Sequence, residues 1–250
     1  MRESYGKILL LIGMFIFGFI VALFVVKMGY FSFLATDHQV LDRCLPILKP
    51  AIDDAGKFKI DTLVNQTSYL GNNPERLNLI AKLTTDDFSD YYWNSTKYEY
   101  SFLGSNSRYA INKYGRIYQR DKGSLDLTRD PYWIAFQKTG QCQALSILFN
   151  QTANDSGFET QIVRSDNLDH FWNEVYLDGE WKFFDVQQYG YVQGRGSSSQ
   201  WFGNRSDFVK IYPSLCENLQ KGNHNGVYIY NLTNDGYIEP SLTNYYCVKN

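Results

Sequence analysis

The sequence predicts an α+β domain behind one membrane anchor, and three observations carry that prediction. Asn73-Pro74 and Asp130-Pro131 each set a capping side chain before a proline, the signature of a helix start. Asp178-Gly179 and Asp235-Gly236 sit at the centres of alternating apolar runs and read as β-hairpins. Residues 8–26 carry neither a charge nor a strongly polar side chain.

A chain of 250 residues is long enough to bury a real core. Its aromatic content of 17% favours a β-containing domain over a plain helical bundle. A formal charge of −2 offers no basic surface for nucleic acid. The 4 cysteines (44, 142, 216 and 247) show no CxxC spacing, and 3 scattered histidines complete no zinc signature. No EF-hand loop, GxxxxGK phosphate loop or GxGxxG is present. No metal and no cofactor is therefore expected, and any chemistry must come from side chains.

The apolar run at 8–26 would span ~28 Å as a helix, at ~1.5 Å per residue, close to the bilayer's hydrocarbon thickness. A cleaved leader has a shorter apolar region and a small-residue cleavage site. Here Lys27, Met28 and the aromatic stretch YFSF follow, as at an interfacial anchor. Arg2 and Lys7 mark residues 1–7 as a cytoplasmic tail, against Lys27 and Arg43 on the far side. The expected order is thus a tail at 1–7, a transmembrane helix at 8–26, a juxtamembrane segment at 27–60 and an extracytoplasmic domain at 61–250. Asn-x-Ser/Thr sites at Asn65, Asn94, Asn150, Asn154, Asn204 and Asn231 fit an exported domain. An oxidising exterior favours pairing of Cys216 with Cys247, which leaves Cys44 odd.

Along the chain, Pro46 and Pro50 break residues 36–57 into short helices leaving the membrane. After Asn73-Pro74, Leu77, Ile80 and Ala81 follow at helical spacing. Asp130-Pro131 opens a helix over YWIAFQK. Leu145, Leu148 and Phe149, with Ala144 and Ile147, stripe a buried helix that starts near Cys142 and ends at NDSG. FETQIVR reads as a strand, and the hairpin over residues 168–186 follows. Residues 190–204 read as a Gly/Ser-rich loop, SDFVKIYPSLCENLQ as a helix and GVYIYNLTNDGYIE as the second hairpin.

The first hairpin carries the chemistry. A two-residue turn at Asp178-Gly179 makes Leu177 face Glu180, Trp172 face Asp185 and His170 face Gln187. Strand side chains alternate, so His170 and Trp172 share a face and Asp185 is the diagonal neighbour of His170, ~7–8 Å away by backbone. A hydrogen bond across that gap holds the imidazole in one tautomer and supports its cation. Cys142 completes the set. At a helix start a cysteine meets the positive end of the macrodipole, which favours thiolate over thiol. Gly140, two residues earlier, permits a close backbone approach. Trp172 and Trp181 read as packing residues of the hairpin.

GQCQALSILF followed by DHFWNEVYLDGEWKFFDV resembles the core of the transglutaminase-like superfamily, a branch of the papain-like cysteine enzymes. The resemblance rests on a Gly-x-Cys helix start, a His-x-Trp-Asn-Glu-Val strand, a turn before Trp and an aspartate fifteen residues after the histidine. It covers roughly residues 130–187, with a short interval between Cys142 and His170. It implies a papain-like fold with the nucleophile helix packed on an antiparallel sheet. It also implies Cys142 as nucleophile, His170 as general base and acid, and Asp185 as its orienter. The implied reaction is acyl transfer from a peptide bond or carboxamide of a protein or peptide substrate: water as acceptor makes a protease or amidase, an amine a cross-linking enzyme. The backbone N–H of Cys142 would contribute to the oxyanion hole. Gln137 and Trp133 are candidates for the second donor, with helix surface and packing as the preferred readings. A non-catalytic binding or scaffold domain on the same fold is the alternative. A peptide N-glycanase-like amidase is a third reading, disfavoured by the absent zinc-binding cysteines and by the anchor.

Overall fold

Two prolines four residues apart ought to stop a helix, yet Asp37–Thr67 runs as one helix, α1, through both Pro46 and Pro50. The computed structural model describes residues 37–86, 88–90, 100–102, 109–112, 116–119, 126–195, 201–217, 226–232, 236–238 and 242–247. Each interior proline costs a helix ~3 kcal/mol, and tertiary packing offsets it here. Leu45, Ile52 and Ile60 of α1 are buried in the core. At Gly56 a Cβ would stand 2.0 Å from the Tyr132 carbonyl oxygen, so only glycine lets the two backbones touch. Lys49 pairs with both Asp53 and Asp130. The break expected within residues 36–57 is thus absent. From Leu45 onward, the segment expected as juxtamembrane at 27–60 packs as part of the domain. The expected span at 8–26 lies outside the described residues, among which no helix is long and apolar enough to cross a membrane.

Helix α2 (Pro74–Thr85) begins as expected, with the Asn73 side chain accepting the Arg76 N–H and Leu77, Ile80 and Ala81 buried. Short strands β1 (Ser89–Asp90), β2 (Tyr100–Phe102), β3 (Tyr109–Asn112) and β4 (Ile117–Gln119) follow, the last three forming an antiparallel sheet. Asp130 caps α3 (Pro131–Gln137) by accepting from the N–H groups of Tyr132 and Trp133. Strand β5 (Thr139–Gly140) pairs parallel with β1 and leads into α4 (Cys142–Asp155).

The main sheet follows: β6 (Thr160–Ser165), β7 (His170–Leu177), β8 (Glu180–Phe184), the helix α5 (Val186–Arg195) and β9 (Phe202–Asn204). Helices α6 (Arg205–Ile211) and α7 (Ser214–Glu217) precede β10 (Val227–Asn231), β11 (Gly236–Ile238) and α8 (Thr243–Tyr246). The sheet order is β11-β10-β6-β7-β8-β9, with every pairing antiparallel. Mixed helices with an antiparallel sheet make the fold α+β, as expected.

Strand β7 is covered on both faces. Phe171, Val175 and Leu177 pack toward the helices, and Trp172 packs toward Phe208, Leu215 and Tyr246 of the C-terminal segments. Asn173 donates to the Ser146 carbonyl at 2.9 Å and so ties the strand to α4. The Gly/Ser-rich loop expected over 190–204 is instead partly α5 and β9. Its glycines weaken the local helical signal, but Val186 and Tyr189 are buried against the cluster that holds α2. The single helix expected in SDFVKIYPSLCENLQ is two, α6 and α7, divided at Pro213. In the second hairpin Gly236 pairs with Asn231 and is the first residue of the returning strand.

Candidate active site

Cys142 is the first residue of α4, after an extended Gln141 with φ −134° and no side-chain cap. The Gln141 carbonyl accepts from the Leu145 N–H at 2.9 Å, which starts the helical ladder. The N–H groups of the first turn, that of Cys142 among them, have no intrahelical acceptor and sit at the positive end of the dipole. Gly140 takes φ 150°, a backbone region that side chains beyond glycine rarely enter. The Cys142 thiol is free and half-buried.

The hairpin register is the one its turn chemistry dictates. Asp178 and Gly179 take φ 54° and 85°, both left-handed, and Leu177 pairs with Glu180 and Asn173 with Phe184. Asp185, the next residue, therefore lands beside His170, whose Nε2 lies 2.8 Å from Asp185 Oδ2. Cys142 stands within hydrogen-bonding reach of the same ring. With Nε2 committed to Asp185, Nδ1 is the nitrogen left for the thiol. The three residues predicted from sequence are thus brought together.

Burial disfavours the imidazolium, but the charge and hydrogen bond of Asp185, with the hydrogen bond of Cys142, outweigh it and raise the His170 pKa to about 10. Burial likewise works against the Asp185 carboxylate, which is 1% exposed. His170, then the Gln188 N–H and the Tyr212 hydroxyl, hold its pKa below the ordinary value. Asp185 Oδ1 accepts from the Gln188 N–H at 3.0 Å and Oδ2 from Tyr212 Oη at 2.8 Å. Its own N–H donates to the Trp201 carbonyl, and its carbonyl accepts from Tyr189. Asp185 therefore caps α5 while it faces His170.

The two residues considered for a second oxyanion donor have these surroundings. Gln137 Oε1 accepts from the Ile117 N–H at 2.9 Å, and Trp133 is 3% exposed within the core. Tyr212 was invisible to local pattern, since it contacts Asp185 from a turn 27 residues downstream. Tyr230 was missed likewise: its hydroxyl accepts from Gln143, the neighbour of Cys142, at 3.0 Å, and its ring meets Phe171 edge-on. Among the described residues no cluster of His, Cys, Asp and Glu is disposed to hold a metal ion. Cys216 and Cys247 form the expected disulfide, which leaves Cys44 free and exposed.

Residues 88–186 match the family model of the transglutaminase-like superfamily, a range that contains Cys142, His170 and Asp185. No curated protein matches the chain. Among solved structures, a crystal structure of a TGase aligns at 14% identity and a TM-score of 0.37, over 60% of this chain and 33% of its own. The chain spans about a third of the length of that TGase.

Proposed function

We propose, from the match of residues 88–186 to the transglutaminase-like superfamily, that the chain is a cysteine-dependent acyl-transfer enzyme acting on peptide bonds or carboxamides outside the cytoplasm. The observation that carries the reading is the 2.8 Å contact of His170 Nε2 with a buried Asp185, with a free thiol in reach of the same ring. With the proton held on His170, Cys142 Sγ bonds to the substrate carbonyl carbon as a thiolate. The oxyanion that forms is met by the Cys142 N–H at the open end of α4. The imidazolium then protonates the departing amine, the C–N bond breaks and a thioester remains on Cys142. An incoming water or amine, deprotonated by His170, attacks the thioester carbon and releases the thiol. Asp185 stays ionised throughout and holds the cation that forms and discharges beside it.

The apolar run at 8–26 supports a single anchor with the domain outside, and the Cys216–Cys247 disulfide supports an oxidising compartment. The partners are then the membrane and a protein or peptide substrate. To test the activity, full-length protein in detergent is incubated with casein and a fluorescent amine, beside its Cys142→Ala variant. Wild-type protein is expected to cleave the casein or to load it with the amine, and Cys142→Ala to do neither. Wild-type protein that is as inert as Cys142→Ala would make the chain a binding domain on this fold.

A further inference from the structure

We propose that Tyr212 is a positioning residue that acts on His170 through Asp185, an inference that rests on the acyl-transfer reading of the site. The Tyr212 hydroxyl donates to Asp185 Oδ2 at 2.8 Å, and this is the oxygen that faces His170 Nε2, also at 2.8 Å. One carboxylate oxygen thus receives both groups and the other receives the Gln188 N–H. A carboxylate held by three donors on two oxygens keeps its plane, and with it the direction in which it aims the imidazole.

The placement of Tyr212 is itself enforced. It closes α6 with its N–H on the Phe208 carbonyl at 2.9 Å, and Phe208 is fully buried and stacked on Trp172 at 4.3 Å between centroids. On the other side, the Tyr212 carbonyl accepts from the buried Leu215, whose neighbour Cys216 is bonded to Cys247. The ring stands 5.6 Å from that of His170 at a tilt of 42°. The backbone of Tyr212 is thus held on both sides and its ring packs against His170 and Phe208, so the hydroxyl is a preorganised donor.

Among the described residues, the titratable groups that act on His170 and Asp185 are Cys142 from α4 and Tyr212 after α6. Glu174 and Arg205, further along the same face, are bonded to each other. Removal of the Tyr212 donor concentrates the carboxylate charge on His170, which strengthens the imidazolium and makes it a poorer acid toward a leaving amine.

The test needs no substrate. The pH dependence of iodoacetamide alkylation at Cys142 is measured without reductant in full-length wild type, Tyr212→Phe and His170→Gln, each with a melting curve. Tyr212→Phe retains the ring packing and is expected to move the alkaline limb of the profile upward by at least ~0.3 pH, with wild-type kinetics at the exposed Cys44. An alkaline limb that stays in place or moves down, with a lowered melting temperature or without, would make the hydroxyl a bond of stability alone and overturn the proposal. Identical profiles for wild type and His170→Gln would remove the Cys–His reading beneath it, and the proposal with it.

Discussion

Glu174 and Asp185 leave the same hairpin and are equally buried, at 0% and 1% exposure, yet their surroundings commit them to opposite tasks. Glu174 receives Arg205 Nε at 2.6 Å and Nη2 at 2.8 Å, with Tyr246 Oη and Gln161 Nε2 at 2.6 Å each. A guanidinium cannot give up its proton in a protein, so Glu174 faces a permanent cation. Its donors close both oxygens, and the result is a clamp of β7 to α6 and α8. Burial, then the neighbouring carboxylate, pushes the Tyr246 phenol well above its ordinary pKa and keeps it a donor. Asp185 faces an imidazole instead, which can lose its proton, and the far side of that ring meets a thiol. A buried carboxylate marks chemistry when its partner can titrate and architecture when it cannot.

The largest expected effect comes from breaking the clamp. Arg205→Met leaves the Glu174 charge buried without its cation and is expected to cost ~3–5 kcal/mol of stability in urea unfolding. A variant as stable as wild type would show that the contrast between the two carboxylates is misdrawn.

Asp185→Asn is expected to slow acyl transfer by ~10–10³-fold, less than in a serine triad because a thiolate is intrinsically more nucleophilic. Asparagine caps a helix as well as aspartate does, so α5 should persist and the change should isolate the charge. The stability difference follows from the two shifts. The raised pKa of His170, about 10 against 6.5, contributes fully below the lower value and is lost as pH rises through the higher. The lowered pKa of Asp185 contributes above its ordinary 3.8 and is lost on acidification. Wild type should therefore exceed Asp185→Asn by the widest margin between about pH 4 and 6.5, with the margin fading toward pH 10. A margin that is flat across this range, by thermal melts at several pH values, would separate the carboxylate from the imidazole. The smallest effect belongs to Asp178→Asn. Its φ of 54° suits asparagine as well as aspartate, so turnover should match wild type in the same assay.

What could be read from the sequence was what local chemistry dictates. Asn73 and Asp130 cap helices because a side-chain acceptor followed by proline satisfies free N–H groups and presets φ. The turn at Asp178-Gly179 sets the register, and the register brings Asp185 to His170. What stayed hidden depends on distant partners. Helix α1 survives two prolines through contacts with α3, and α5 forms despite Gly190 and Gly194 because Val186 and Tyr189 bury. One signal for α5 was present in Asp185-x-x-Gln188, an acidic cap with glutamine three residues on. Tyr212 offers no such signal, because its role exists only once α6 has packed on Trp172.

The central claim, that His170 and Asp185 activate Cys142, meets its most direct test in the two free thiols of the described residues. Cys44 is exposed and Cys142 only half so, and access alone would make Cys44 the faster to react. Timed iodoacetamide labelling of the folded full-length chain at pH 6, read by peptide mass, ranks them. The expected result is alkylation of Cys142 at least ~10-fold faster than Cys44, with most of that advantage gone in Asp185→Asn. Labelling in the order of exposure, Cys44 first and Cys142 unaffected by Asp185→Asn, would contradict it.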